Sequence, residues 1–149
     1  MNDMNIFLQL ITAFLGALGF ALLYQVSREK LFWASFGGFL SWLVYLICGT
    51  FSDNDVVRYF FASVIVTFYA EFMARKKKTP ATVFLAPGTI PLIPGGSLYQ
   101  TMSYCLSGTW EQAFLLGLQT ILLAVAISCG ILMTMTIMQV AGRKKEVDR

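Results

Sequence analysis

The chain has 149 residues, of which 57% are hydrophobic and 13% are charged, with a mean hydropathy of +0.68. Soluble domains have about 25% charged residues, so this composition excludes a water-soluble fold for most of the chain. The net charge is +3, but the basic residues form short clusters between apolar runs instead of one face, which argues against nucleic acid as a partner.

The cysteines and the lack of histidine bear on the chemistry. Cys48, Cys105 and Cys129 stand apart in apolar surroundings without CxxC spacing, so we interpret them as buried thiols and expect neither a metal site nor a cofactor. The sequence has no histidine, the commonest general base, and no nucleotide-binding motif of the type GxxxxGK[ST]. The sequence therefore does not favour an enzyme.

Charges and helix breakers divide the chain into five apolar segments, 4–24, 31–51, 56–74, 80–106 and 110–140. The first three are close to the roughly 20 residues that a helix needs to cross a bilayer. Because lipid cannot satisfy backbone polar groups, we predict an all-α membrane protein, a single domain over 1–149 with about five transmembrane segments. The chain begins without the positive region of a signal peptide, so the first segment is expected to remain. The last segment must tilt, kink near Gly130 or project beyond the bilayer.

The basic residues predict the orientation, because lysine and arginine are enriched in cytoplasmic loops near segment ends. Arg28 and Lys30 follow the first segment, Arg75 to Lys78 follow the third, and Arg143 to Lys145 follow the fifth. Arg58 stands alone on the opposite side. This pattern predicts an outer N-terminus and a cytoplasmic C-terminus. A re-entrant fourth segment would place the last cluster outside, so five crossings are favoured.

Small residues recur at helical spacing in three segments and predict close helix packing, the main force that joins helices in lipid. Packing within the chain is the preferred interpretation, and contacts with other subunits, including a homo-oligomer, are the alternative. The residues are Ala13, Ala17 and Ala21 in the first segment, Ala34, Gly37, Gly38 and Ser41 in the second, and Ala113, Gly117, Thr120, Ala124 and Ser128 in the last.

The fourth segment differs from the others because prolines and glycines interrupt it. The run from Ala86 to Gly96 holds three prolines and three glycines, which remove backbone donors and favour unwinding. We expect a short helix over 80–86, irregular backbone over 87–96 and a second helix over 97–106. Irregular backbone at membrane depth survives only where protein surrounds it or water reaches it. A kinked packing helix or a surface loop is the alternative.

A broken membrane helix of this kind is typical of transport sites. Free amides at the start of the second half-helix, near Ser97, Leu98 and Tyr99, suit a carboxylate, and free carbonyls suit an ammonium group. The expected ligand is a small polar acid. The candidate substrate-binding residues are Pro87, Gly88, Thr89, Pro91, Pro94, Gly95, Gly96, Ser97 and Tyr99.

Glu71 is the only acidic residue inside the first four predicted segments, which makes it a candidate for proton coupling. It lies one turn from the cytoplasmic end, where Arg75 follows it by four residues and can pair with it. A simple ion pair is an equal alternative. The run Arg75 to Lys78 is interpreted as a topology signal, with contact to anionic lipid as a lesser alternative.

The run Leu85-Ala86-Pro87-Gly88-Thr89-Ile90-Pro91-Leu92-Ile93-Pro94-Gly95, with basic residues before it and Tyr99 after it, resembles the threonine/serine exporter family, specifically its small, separately encoded subunit. The resemblance covers nearly the whole chain. It implies a bacterial inner-membrane exporter in which a larger membrane subunit joins this one. Because one branch of these systems is associated with succinate export, the implied substrates are threonine, serine or a small dicarboxylate. A non-transporting scaffold that stabilises the larger subunit is the competing hypothesis.

Overall fold

The computed structural model describes the backbone of residues 3–147 and the side chains of 5–141, and within this range the chain is helical with no strand. Four helices, α1, α2, α3 and α6, are long and apolar enough to cross a membrane. The all-α membrane fold is thereby confirmed. The helices are α1 Asp3–Leu23, α2 Arg28–Phe51, α3 Asp55–Lys77, α4 Thr82–Thr89, α5 Gly95–Leu106 and α6 Trp110–Val147, and a 3₁₀ turn, Ile90–Leu92, follows α4.

The turn between α2 and α3 is closed by polar side chains. Asn54 caps α3 by accepting a hydrogen bond from the amide two residues later. The Arg58 guanidinium donates to the carbonyl oxygens of Ser52 at 2.7 Å and Gly49 at 3.3 Å, and to the Asp55 carboxylate at 3.2 Å. These bonds satisfy carbonyls that the end of α2 leaves free. The lone basic residue at this end of the bundle thus has a structural role.

Helix α2 packs antiparallel to α1 on one side and to α3 on the other. A Cβ on Gly38 would overlap the Ala17 methyl group, so only glycine permits this approach. Toward α3, the Tyr69 hydroxyl donates to the Trp33 carbonyl oxygen at 2.8 Å. Packing within the chain is confirmed for the small residues of the first two segments, all of which are buried: Ala13, Ala17, Ala21, Ala34, Gly37, Gly38 and Ser41.

Helix α6 runs parallel to α3. A Cβ on Gly130 would overlap the Ser63 hydroxyl oxygen, and farther along both helices Arg75 donates to the Met138 carbonyl oxygen. From the first contact to the second, the residue number rises in both α3 and α6, so the two helices run parallel. The helix continues without interruption through Gly130, so this residue does not divide α6. Close packing on α3 explains the glycine instead.

The small residues of α6 follow the expected stripe only in its first half. Ala113 and Thr120 are buried, whereas Ala124 and Ser128 are exposed. Beyond this point the buried positions are Leu123, Ala126, Gly130 and Thr134. The buried face changes because the helix packs first against α5 and then against α3.

The fourth segment crosses the bundle in one direction. Helix α4 is antiparallel to α3, because Phe84 clusters with Ala70 while Leu92, just beyond α4, clusters with Tyr59. Helix α5 is antiparallel to α6, because a turn of three residues joins them and a Cβ on Gly117 of α6 would lie 3.4 Å from Thr101 Cγ2 of α5. Since α6 parallels α3, α4 and α5 both oppose α3 and point the same way. The two halves of the segment thus continue in one direction, which favours a crossing over a re-entrant loop.

The cysteines are not buried as expected. Cys48 is half-buried, and Cys105 and Cys129 are exposed. Apolar surroundings in sequence do not distinguish the core of a membrane bundle from its lipid-facing side, because both are apolar. The interpretation of all three as buried thiols is therefore wrong.

Candidate functional site

The irregular backbone in the fourth segment begins later than the sequence predicts. Helix α4 includes Pro87 and Gly88 and ends at Thr89, and 3₁₀ geometry continues to Leu92. Pro87 and Gly88 are buried against the neighbouring helices, and such enclosure lets a membrane helix tolerate proline. The Thr89 hydroxyl also donates to the Leu85 carbonyl oxygen at 3.0 Å. The prediction that the backbone is irregular from Pro87 is wrong.

The helical backbone stops before Ile93, which is extended with φ −66° and ψ 122°. Pro94 follows, and a proline disfavours helical backbone at the residue before it. Helix α5 begins at Gly95, so the prediction that the second half-helix starts at Ser97 is also wrong. The break is confined to Ile93 and Pro94, between two helical pieces that share one direction.

The first turn of α5 offers free backbone donors. The Gly95 amide donates to the Ile93 carbonyl oxygen at 2.7 Å, and the Leu98 amide donates to that of Pro94 at 3.1 Å. The amides of Gly96 and Ser97 have no acceptor among the described residues, and no side chain caps this end. The expectation of a free donor at Leu98 is therefore wrong, whereas Ser97 retains one.

The two glycines of this turn lie in open space. A Cβ built on Gly95 or Gly96 meets nothing within 4 Å, and neither residue has a positive φ. Gly88 differs, because its Cβ would lie 2.8 Å from Val66 Cγ2. The structure thus separates the predicted site residues: Pro87 and Gly88 are enclosed, while Pro94 to Ser97 surround the break. Tyr99 is exposed on α5, and the Thr89 hydroxyl is used within its own helix.

A cleft of about 370 Å³ separates the break from α6. The hydroxyls on its far wall donate within their own helix, Thr120 to the Leu116 carbonyl oxygen and Ser128 to that of Ala124, both at 2.8 Å. The cleft is therefore largely apolar. Sequence analysis identified the small residues of this wall as a packing stripe and did not predict the cleft. Its lining is Ile93, Pro94, Leu98, Thr120, Ile121, Ala124, Ile127 and Ser128.

A protein-family model described as the threonine/serine exporter, ThrE, matches residues 9–137, a range that contains the whole broken segment. The chain belongs to the threonine/serine exporter family, ThrE. Proteins of this family are membrane transporters and not enzymes, and the resemblance of the run Leu85 to Gly95 to this family is confirmed. No curated protein and no solved structure matches the chain at a significant level.

In this ThrE-family chain, Glu71 is remote from the break. It follows Ala70, which clusters with Phe84 in the first turn of α4, whereas the break follows Leu92 at the opposite end. The Glu71 carboxylate is 3.9 Å from Arg75 Nε, and its side chain is 14% exposed. The ion pair expected from the spacing is thus present, on the seam between α3 and α6.

A second, smaller cleft lies on the other side of the broken segment, between α1, α2 and the 3₁₀ turn. Gln9 and Thr12 of α1, Trp42 of α2 and Pro91 line it. Of these, only Pro91 was a predicted site residue. Gln9 and Thr12 are polar residues spaced three apart in the first apolar segment, and this spacing on one helical face was the signal available in the sequence.

Proposed function

We propose that the chain is a subunit of a bacterial inner-membrane secondary exporter that acts with a larger membrane subunit on threonine, serine or a small dicarboxylate such as succinate. The observation that carries this proposal is the break at Ile93 and Pro94, with free amides at Gly96 and Ser97. Family membership supports transport, and the absence of a nucleotide-binding motif in the sequence favours an ion gradient as the energy source. The basic clusters support a cytoplasmic C-terminus.

The two sides of the break offer opposite partial charges. The amides of Gly96 and Ser97 carry the positive end of α5 and suit a substrate carboxylate. The Pro91 carbonyl oxygen receives no backbone hydrogen bond from the described residues, and it suits an ammonium group. A zwitterionic amino acid engages both sides, whereas a dicarboxylate engages only the amides. This asymmetry favours threonine or serine over succinate.

The surface of α5 supports the proposal of a larger partner. This helix has no buried residue and packs mainly against α6. Tyr99, Gln100 and Ser103 are exposed on it. Polar side chains in a membrane are costly against lipid, so they are expected to lie against protein or a water-filled path. A larger subunit that covers α5 and completes the path around the break satisfies this requirement.

The proposal is tested in vesicles that contain this chain, the larger subunit, or both. The vesicles are loaded with labelled threonine, serine or succinate, and a proton or sodium gradient is imposed. Efflux of at least one solute is expected only when both chains are present. Absence of gradient-driven efflux for all three solutes, in vesicles where both chains are shown to be assembled, would contradict the proposal.

A further inference from the structure

The cleft between α1, α2 and the 3₁₀ turn combines polar groups with a small volume. It measures about 240 Å³ and is lined by Gln9, Thr12, Ala13, Trp42 and Pro91. A space of this size suits a small solute and is too small for a helix of a partner protein. All the polar groups in its lining are neutral.

The hydrogen bonds of the cleft fix which groups remain available. The indole Nε1 of Trp42 donates to Gln9 Oε1 at 3.3 Å. Because the indole N–H is only a donor, this contact assigns the carboxamide oxygen to Trp42 and leaves the carboxamide NH₂ for other partners. The NH₂ group has no acceptor among the described residues. Gln9 therefore brings two unused N–H donors to the cleft.

The neighbouring groups hold this arrangement in place. The Thr12 hydroxyl donates to the Gln9 carbonyl oxygen at 2.9 Å, so its own oxygen remains free to accept. The Trp42 ring stacks on Tyr45, with ring centroids 4.8 Å apart and planes 25° apart, which restricts the indole that orients Gln9. On the inner side, Gly38 has no side chain, so α1 and Pro91 can approach α2 closely. A Cβ on Gly38 would lie 3.4 Å from Pro91 Cγ.

We propose that this cleft is a second binding site for the transported solute, which takes a small carboxylate or hydroxy acid. The carboxylate accepts from the Gln9 NH₂ group, and a hydroxyl or ammonium group of the solute donates to Thr12. Donors without partners inside a bilayer are costly, and an acidic solute satisfies them where a hydrocarbon chain cannot. Pro91 joins this cleft to the segment that carries the break. The inference rests on the proposed transport function and adds residues of α1 and α2 to it.

Binding is measured in the assembled two-subunit protein through the fluorescence of Trp42, after Trp33→Phe and Trp110→Phe remove the other indoles of this chain. Fluorescence of the larger subunit is subtracted by using a matched complex that also carries Trp42→Phe. Threonine and succinate are the probes, at constant lipid composition. A saturable change in Trp42 fluorescence is expected. No change with either probe would contradict the inference, because an acyl chain or a lipid headgroup in the cleft does not respond to added solute.

Two substitutions at Gln9 test whether its NH₂ group binds the solute in the cleft. Gln9→Glu replaces the donors with a carboxylate, and Gln9→Met removes them at similar size. Since a hydrogen bond to a charged group is lost, each should raise the apparent Kd roughly tenfold or more. Gln112→Glu, on an exposed position in the first turn of α6 outside both clefts, is the matched control and should bind normally. Normal binding by Gln9→Met would overturn the inference, because it would show that no donor is used.

Transport assays distinguish failure of this inference from failure of the proposed function. If the unmodified complex exports a solute and both Gln9 variants export it with unchanged KM, the inference is wrong and the function stands. If the unmodified complex exports none of the three solutes, the proposed function itself fails. Co-purification with the larger subunit confirms that each variant is assembled.

Discussion

The Cα of Gly88 in α4 lies 3.4 Å from the position that a Cβ on Gly37 of α2 would occupy. Two glycines thus form the contact at which the short helix enters the bundle. Eight residues span about 12 Å at 1.5 Å each, so α4 does not cross a membrane alone and depends on the helices around it. Close approach of backbones supplies that support, because dispersion contacts replace the hydrophobic effect in lipid.

Gly88→Ala should destabilise the protein. The added Cβ would lie 2.8 Å from Val66 Cγ2, inside a wall of buried residues. Overpacking of this kind costs about 1–3 kcal/mol, which should lower the Tm measured in detergent. Gly16→Ala is the control, because nothing lies within 4 Å of its Cβ position. Adding Val66→Ala to Gly88→Ala should restore part of the loss, and an unchanged Tm for Gly88→Ala alone would refute this packing.

Gly130→Ala should loosen α6 from α3. The new methyl group would overlap the Ser63 hydroxyl oxygen and lie 2.9 Å from the Phe60 carbonyl oxygen. Because the carbonyl belongs to the backbone, Ser63→Ala should restore little. Gly117→Ala, which would meet only the Thr101 methyl group at 3.4 Å, is the matched control. Faster amide hydrogen exchange in the second half of α6 is the expected result for Gly130→Ala. Equal exchange in the two variants would contradict the prediction.

The sequence predicted the helices well because lipid makes hydropathy and segment length decisive. The first predicted segment, 4–24, corresponds to α1 Asp3–Leu23. The prediction of irregular backbone from Pro87 failed for a physical reason. The cost of a proline in a helix depends on whether neighbouring helices enclose it, and the sequence does not show which residues do so. Pro94 acts through its immediate neighbour Ile93, and a local effect of this kind can be read from sequence.

The candidate site was predictable only where it depends on local sequence effects and not on helix packing. The break depends on local chemistry at Pro94, and the residues from Pro94 to Ser97 do surround it. The two clefts depend on how helices pack, and so the contributions of Gln9 and Trp42 required the three-dimensional arrangement. Both residues lie far in sequence from Pro91, with which they line one cleft.

Gly95→Ala and Gly96→Ala should reduce transport without loss of stability. Alanine favours a helix over glycine by about 1 kcal/mol, and a Cβ at either position meets nothing within 4 Å, so the Tm should stay the same or rise. Efflux should fall, since the methyl group would hinder a substrate at the free amides. Gly95→Leu should abolish efflux. The equivalent control is Gly19→Ala, another helical glycine with open space around it.

The same variants discriminate between the transport site and a scaffold. A transport site predicts lost efflux with normal co-purification of the larger subunit. A scaffold predicts either normal efflux or loss of the complex. Efflux and co-purification are measured on the same preparation of each variant, so that the two losses are separated.

If Glu71 carries the coupling proton, Glu71→Gln should uncouple transport from the proton gradient. The carboxylate lies 3.9 Å from Arg75 Nε on the seam between α3 and α6, and protonation would weaken this pair. Export driven by a proton gradient should be lost in Glu71→Gln, while exchange of labelled for unlabelled solute persists. The same assay on Arg75→Gln tests the other residue of this ion pair. Normal proton-driven export in Glu71→Gln would assign the residue to the structural ion pair alone.

Lys76 and Ser107 should lie on opposite sides of the membrane. Lys76 is near the end of α3 and Ser107 follows α5, and α4 and α5 point in one direction between them. In a chain whose three cysteines are replaced by serine, Lys76→Cys and Ser107→Cys are labelled with a membrane-impermeant maleimide. Intact cells should label only Ser107→Cys, because the basic cluster around Lys76 favours the cytoplasm. Both sites are exposed, so failure to label reflects sidedness and is checked by permeabilising the membrane. Labelling of both from one side would mean that the fourth segment turns back. The free amides of Gly96 and Ser97 would then open to the same side as Lys76, and the segment would have no route for a solute across the bilayer.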